Sequence, residues 1–162
     1  MFTKLDKTQH PPKDKPLMAW DGNCGFCHYW VIRWKIITGE NVRFQPFQEV
    51  YQNFPDIDLK YFRQAIRMID TDGKIYTGPA AAFRSFQYGN GNKWKWVMPL
   101  YNKIGIFRWA SDRFYNWISK HRPFMYKVTV FFFGKNPAKP KPYWVYYSAG
   151  LAAVLAGIIV LT

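Results

Sequence analysis

Two cysteines that stand three residues apart, Cys24 and Cys27, constrain the fold of this chain more than any other feature. They follow the apolar run 17–20 and an Asp-Gly pair, a pattern typical of a buried strand that ends in a turn. After them, apolar residues recur at helical spacing over 28–38, and the glycine behind that stretch supplies a stop. The sequence therefore predicts a strand, a loop and a helix, with the cysteine pair at the start of the helix.

The position of this pair indicates redox chemistry. A helix N-terminus carries about half a positive charge and unpaired N–H groups, so it stabilises a thiolate and lowers the pKa of the Cys24 thiol. Cys27 lies one turn further along the helix and can reach the first sulfur. We predict that Cys24 attacks a disulfide and that Cys27 resolves the mixed disulfide. Because the chain has two cysteines in all, a disulfide-stapled secreted scaffold is excluded.

Asp21, three residues before Cys24, is the third candidate site residue, and it has two interpretations. As a general base, its carboxylate accepts a proton from the resolving thiol or orders a water molecule near it. As a turn residue, it accepts hydrogen bonds from the backbone N–H groups that follow it. A carboxylate close to Cys24 would also raise the pKa of that thiol, in opposition to the helix dipole.

The middle of the chain has the pattern of strands and a hairpin. Residues 42–44 predict a second strand, and residues 47–54 predict a short helix. The stretches 65–69 and 74–76 flank an Asp-Thr-Asp-Gly sequence, which favours a tight hairpin turn. A further helix is predicted over 79–87, with proline in its first turn.

A helical pattern returns at Pro99 and is expected to end at Pro123. Five apolar residues share one face of this helix: Phe107, Ala110, Phe114, Trp117 and Ile118. The elements together predict an α/β domain with a helical C-terminal extension.

The last 20 residues, 143–162, carry no charge. At about 1.5 Å per residue, a helix of this length spans roughly 30 Å, the hydrocarbon thickness of a bilayer. Lysines precede this span and no charge follows it, so the positive-inside rule predicts a single-pass membrane protein with residues 1–142 in the cytoplasm, as in a bacterial inner membrane. The start of the chain is charged and rich in proline, so we expect no signal peptide.

Four parts are expected along the chain: a polar arm over 1–16, the α/β domain over 17–134, a basic proline-rich linker over 135–142, and the membrane helix. The net charge of +13 favours an anionic lipid surface beside the domain. Within the domain, the segment 93–96 (Lys-Trp-Lys-Trp) places rings and ammonium groups as a membrane-surface contact requires. The same pattern also occurs in nucleic-acid platforms, but the membrane accounts for it and no nucleic-acid partner is expected.

The span itself has a side made of small residues. Ala149, Ala153 and Gly157 recur every four residues, so another helix can approach this side closely. The spacing predicts a partner helix, and hence a larger membrane protein complex.

The segment 21–27 (DGNCGFC) resembles the DGxCxxC signature of the DCC family of thiol-disulfide oxidoreductases, which is named for its Asp and two Cys. The likeness continues in three segments and three late residues: 42–47, 65–76, 78–81, Pro99, Tyr115 and Arg122. The resemblance implies a thioredoxin-like fold over 17–134, with Cys24 and Cys27 as the redox pair and no added cofactor. Thioredoxin-like enzymes usually carry a proline just before the strand that faces the cysteine pair, whereas Gln64 precedes that strand here. The membrane helix is a second departure, because it lies outside the family's usual core.

Two ligand-binding interpretations compete with this one. Cys24 to His28 also reads CxxCH, the attachment motif of c-type haem, with His28 as the proximal iron ligand. The candidates for a distal ligand are three methionines: Met68, Met98 and Met125. Haem is attached to such motifs after a protein has been exported, however, whereas the predicted membrane helix keeps this domain in the cytoplasm. A zinc site lacks ligands, because Cys27 and His28 point in different directions on a helix, so we predict no metal.

Two functions follow from the sequence. The first is thiol-disulfide exchange at the membrane surface by Cys24, Cys27 and Asp21. The second is non-enzymatic: an accessory subunit of a larger membrane complex, such as a respiratory one, in which a redox fold supplies a rigid, basic and aromatic surface.

Overall fold

Four short strands form the centre of the protein, in a computed structural model that describes residues 1–150. They are β1 (Leu17–Trp20), β2 (Arg43–Pro46), β3 (Arg67–Ile69) and β4 (Ile75–Thr77), in the spatial order β2-β1-β3-β4. β1 pairs in parallel with β2 and antiparallel with β3, and β3 pairs antiparallel with β4. This mixed α/β architecture, a βαβ unit followed by a hairpin, is consistent with the expected thioredoxin-like fold.

Helices lie on both sides of the sheet and after it. They are α1 (Gly25–Thr38), α2 (Phe47–Val50), α3 (Leu59–Gln64), α4 (Pro79–Ser85), α5 (Val97–Lys103), α6 (Gly105–Lys120) and α7 (Arg122–Phe133). Short 3-10 turns continue α1, α2 and α4. The predicted first helix, hairpin and proline-led helix α4 are confirmed.

Helices α3 and α7 differ from what the sequence predicts. The six residues of α3 are too short for a helical period to show in the sequence, so this helix is not predicted. Pro123, expected to end the helical region, instead stands in the first turn of α7, where a missing N–H costs least. The helical region expected over 99–123 is therefore divided between α5 and α6, and α7 continues beyond its expected end.

Helix α6 turns part of its apolar side to solvent. Of the five residues expected to share one face, Phe107 and Ile118 are half-buried. Ala110 is exposed, and Phe114 and Trp117 are exposed by 60% and 44%. The predicted face is thus an edge of the domain rather than its core.

The predicted membrane helix is described only at its start. Residues 143–150 are helical, whereas 151–162 lie outside the described residues. Ala149 of the small-residue side is therefore described, but Ala153 and Gly157 are not. Within residues 1–150, no helix combines the length and the apolar character that crossing a bilayer requires.

Strand β1 is buried on both faces of the sheet. Leu17 and Ala19 belong to one cluster of buried apolar residues, together with side chains from α2, α3 and the loop between them. Met18 and Trp20 belong to a second cluster, which includes Val31 of α1. Because successive side chains of a strand point to opposite faces and both faces are covered, the run is apolar throughout.

The N-terminal arm packs against the domain. The Phe2 ring is buried, and its centroid lies 5.3 Å from that of Tyr115 on α6. Lys4 Nζ donates hydrogen bonds to Oδ2 of Asp112 at 2.5 Å and to the hydroxyl of Tyr101 at 3.1 Å. The arm therefore ties α5 and α6 to the start of the chain.

A buried arginine, Arg67 on β3, links the arm to the sheet. Its guanidinium donates to the carbonyl oxygens of Tyr61 and Thr3 and to Oγ1 of Thr77, at 2.8 to 3.2 Å. Burial lowers the pKa of Arg67 to about 10, against the smaller opposing effect of Tyr115 and Tyr61. In the described part of the chain its partners are neutral oxygens rather than a carboxylate.

Candidate active site at the cysteine pair

The cysteine pair caps the first helix. Cys24 is the N-cap residue of α1, and a disulfide joins it to Cys27. The N–H of Cys27 donates to Sγ of Cys24 at 3.1 Å, so the sulfur takes the place that a Ser or Asp oxygen takes at many helix starts. The predicted pair therefore lies at the positive end of the helix dipole.

The two sulfurs have different surroundings. Cys27 packs against the buried cluster that contains Met18 and Trp20. Cys24 borders a cleft of about 370 Å³, whose lining does not include Cys27. One wall of the cleft is the loop before α1, and the other is the turn between α6 and α7. Both cysteines are half-buried, and Cys24 is the one that borders this cleft.

The loop that presents Cys24 is built on the end of β2. The carbonyl of Asp21 accepts a hydrogen bond from the N–H of Cys24 at 3.1 Å. A Cβ at Gly22 would lie 3.0 Å from Cβ of Pro46, so glycine allows the loop to sit directly on the strand. The N–H of Gly22 donates to Oε1 of Gln48 at 3.1 Å. These contacts hold the loop in one position relative to the sheet.

The Asp21 carboxylate is held by three groups. Oδ1 accepts from the N–H of Asn23 at 3.2 Å and from Nε2 of Gln48 at 2.9 Å. Oδ2 accepts from Nη1 of Arg122 at 3.0 Å, in an ion pair with both side chains about a quarter exposed or less. The bond to Asn23 is the one expected of a turn residue. Among the described residues the carboxylate has no hydrogen bond to either sulfur, so its role as a general base stays a prediction.

Sequence reasoning did not assign site roles to Gln48 and Arg122. Gln48 comes two residues after β2, where an exposed polar residue carries no signal of its own. Arg122 is 101 residues from Asp21, and only the fold brings the two together. The family likeness included Arg122 but implied no partner for it.

Positive charge predominates around Cys24. Lys120 and Arg122 line the cleft, and Asp21, which Arg122 neutralises, is the one acid in its lining. A cation near a thiol favours the thiolate, and so do the free N–H groups of the helix start. The lining of the cleft therefore carries more positive than negative charge.

The residues of the competing haem interpretation are spread over the fold. His28 is exposed, and its ring centroid lies 5.6 Å from that of Trp20. Met68 and Met98 are buried, and Met125 lines an apolar cavity between helices. Within residues 1–150, no group of three or more His, Cys, Asp or Glu side chains is arranged to hold a metal ion.

The fold and the site define a class, an α/β domain with a cysteine pair at the start of the helix that follows its first strand. The family of DCC1-like thiol-disulfide oxidoreductases matches residues 18–128, from β1 into α7. The chain therefore belongs to this family. No curated protein and no solved structure matches it.

Proposed function

We propose that this protein is a thiol-disulfide oxidoreductase in which Cys24 is the attacking thiol and Cys27 the resolving thiol. The observation that carries the proposal is the disulfide at the N-cap of α1, with Cys24 on an accessible cleft and Cys27 packed inward. Membership of a family of thiol-disulfide oxidoreductases supports the same chemistry.

The reduced protein transfers two electrons to a disulfide substrate in two exchanges. The Cys24 thiolate attacks one sulfur of the substrate, forms a mixed disulfide and releases the other sulfur as a thiolate. The Cys27 thiolate then attacks Sγ of Cys24, which restores the Cys24–Cys27 bond and releases the second substrate thiolate. Two protons taken up by the substrate thiolates complete the balance, and a dithiol donor returns the protein to its reduced form.

The surrounding groups favour this sequence. The Cys27 N–H that donates to Cys24 Sγ also stabilises a thiolate there. Arg122 pairs with Asp21 and so limits the repulsion between that carboxylate and the thiolate. We propose that Asp21 acts on the pair mainly through the loop it holds, and that any proton transfer from Cys27 to Asp21 passes through water.

Alkylation of the full chain in mild detergent tests the proposal. After reduction, Cys24 should react with iodoacetamide at a pH well below the ordinary thiol pKa of about 8.5. Cys24→Ser should abolish disulfide reduction, whereas Cys27→Ser should accumulate a mixed disulfide with the substrate. Ordinary reactivity of both thiols would refute the exchange mechanism.

We further propose that residues 143–162 anchor the protein in a membrane with the domain on the cytoplasmic side. The uncharged composition of this segment and the lysines before it support the proposal. Ala149, Ala153 and Gly157 would meet a partner helix. Resistance of the protein to carbonate extraction, and protease access to the domain from the cytoplasmic side alone, are the expected results.

The second candidate function is an accessory subunit of a membrane complex, such as a respiratory one. Large aromatic side chains exposed on α6 and α7 favour it, because such surfaces often mark interaction sites. Purification in mild detergent should then recover a stoichiometric partner, and the Cys24→Ser variant should still assemble with it.

A further inference from the structure

The outward side of α6 is apolar. The helix contacts the domain through Asp112 and Tyr115, which bond to Tyr101 and to the N–H of Ile66. The opposite side presents residues that are exposed by 76%, 59% and 44%: Ile106, Trp109 and Trp117. A helix of a water-exposed domain normally turns polar residues outward, whereas residues 1–150 leave this apolar side without a covering.

Helix α7 extends the same kind of surface. Phe124 and Phe131 lie two turns apart, each is 56% exposed, and Lys127 lies between them. On α6, the guanidinium of Arg113 lies 5.4 Å from the ring centroid of Trp109. We refer to six residues together as the α6–α7 face: Trp109, Arg113, Trp117, Phe124, Lys127 and Phe131.

The part of the chain that contains this face is almost entirely positive in its charges. After Asp72 the sequence contains 13 Lys and Arg residues but one acid, Asp112. Asp112 is buried, and Lys4 and Tyr101 bond to its carboxylate. Among its own residues, the α6–α7 face therefore offers cations and aromatic rings and no carboxylate.

Two neighbouring features complete the surface. The ring of Tyr147 stacks on Phe131 with centroids 4.5 Å apart, so the start of the uncharged segment 143–162 lies against this face. A cavity of about 390 Å³ between α1, α4, α6 and α7 is lined almost wholly by apolar side chains. Phe114 and Phe132 line that cavity and are also exposed, by 60% and 36%. A lipid acyl chain that enters between α6 and α7 can fill this cavity.

We infer that the α6–α7 face rests on an anionic phospholipid bilayer. Cations at the depth of the phosphates, with aromatic rings among the upper acyl carbons, are the contacts of helices that lie in a membrane interface. An acidic protein surface would also satisfy Arg113 and Lys127, but the uncharged segment 143–162 that begins beside this face favours a bilayer. The inference rests on the proposed membrane association of this chain, and it is independent of the thiol chemistry.

This placement determines where the cysteine pair works. Lys120 and Pro123, at the turn between the two helices, also line the cleft beside Cys24. With the α6–α7 face on the bilayer, that cleft opens next to the headgroups. The substrate disulfide therefore belongs to a membrane-bound or membrane-proximal protein.

Quenching of tryptophan fluorescence by brominated lipid tests the contact. The full chain is placed in nanodiscs of phosphatidylcholine with brominated phosphatidylglycerol. Trp144, in the proposed membrane segment, is quenched in every variant. Trp109→Phe with Trp117→Phe should lose most of the remaining quenchable signal. The competing pair is Trp94→Phe with Trp96→Phe, in the segment 93–96 for which the sequence predicts a membrane-surface contact. These two tryptophans are 43% and 56% exposed, and their variant should lose less if the α6–α7 face is the contact. An equal or reversed order of the two losses would overturn the inference.

Charge reversal provides an independent readout. Arg113→Glu with Lys127→Glu should weaken quenching in anionic nanodiscs. Lys60→Glu with Arg63→Glu on α3 changes the net charge equally and should have little effect. Equal effects of both pairs, or equal quenching in neutral and anionic nanodiscs, would exclude an anionic bilayer as the occupant. Alkylation of Cys24 in detergent should be the same in all four variants, which separates this inference from the proposed redox function.

Discussion

The first 72 residues and the rest of the chain differ in charge and in burial. Residues 1–72 carry 10 basic and 9 acidic residues, whereas residues 73–162 carry 13 basic and one acidic. The first region supplies β1, β2, β3 and the cysteine pair, and its apolar side chains are mostly buried. The second supplies α5 to α7, where large aromatic side chains are exposed. The first region thus forms the cysteine site, and the second forms the exposed surface beside that site.

The two regions meet beside the active site. Arg122 of the second region pairs with Asp21 of the first, and the α6–α7 turn forms one wall of the cleft at Cys24. At the other end of the interface, Lys4 of the first region pairs with Asp112 of the second. Substitutions at these contacts test how much each one contributes to the stability of the protein and to the reactivity of Cys24.

The largest expected effect on stability comes from Arg67. Its replacement by alanine leaves the carbonyls of Tyr61 and Thr3 and the hydroxyl of Thr77 without their buried donor. We expect a loss of about 3 kcal/mol in the free energy of unfolding. Arg63→Ala, on the exposed side of α3, is the matched control and should stay within about 0.5 kcal/mol of the parent in urea titrations.

Asp112→Asn tests the attachment of the second region. The substitution removes a charged acceptor from Lys4 and Tyr101, and we expect a loss of about 2 kcal/mol in the free energy of unfolding. Asp14→Asn, at an exposed position of the arm, should be neutral. Equal stability of the two variants would show that α5 and α6 are held by packing alone.

The same cluster predicts a dependence on alkaline pH. Burial lowers the pKa of Lys4, but hydrogen bonds to Asp112 and Tyr101 outweigh it, so the pKa is raised above 10.5. Burial and the bond to Asp112 raise the pKa of Tyr101 above 10.0. Both contributions to stability are complete below these ordinary values and are lost as the pH rises through the folded-state values. The melting temperature should therefore fall above about pH 10, less steeply in Asp112→Asn than in the parent protein.

The smallest effect on stability is expected at the junction beside Cys24. Arg122→Gln breaks a half-buried ion pair and should cost less than about 1 kcal/mol. It leaves the Asp21 carboxylate uncompensated near the thiol, so alkylation of Cys24 should shift to higher pH. Arg122→Lys should restore part of the shift, and Arg113→Gln should cause none. An unchanged alkylation profile in Arg122→Gln would contradict an electrostatic role for the junction.

The sequence predicts elements best where the signal is local. The end of α1 follows from Gly39, whose φ is +55°, and the hairpin follows from Gly73, whose φ is +84°. Helix α3 has six residues, too few for a helical period to show, although Asp58 occupies its N-cap position. Pro123 is compatible with a helix end and with a helix start, and the sequence alone does not distinguish the two. Periodicity predicts that apolar residues of α6 share one side, but it does not say whether anything covers that side.

The sequence by itself determined the order of β1, the loop, the cysteine pair and α1, and hence the sulfur at the helix start. Turn, cap and helix periodicity act between residues only a few positions apart, so neighbouring residues are enough to specify them. The tertiary structure alone decided that Arg122 reaches Asp21, that the α6–α7 turn borders Cys24, and that residues 1–150 leave the α6–α7 face uncovered. These features depend on contacts between residues as much as 101 positions apart, which no local spacing encodes.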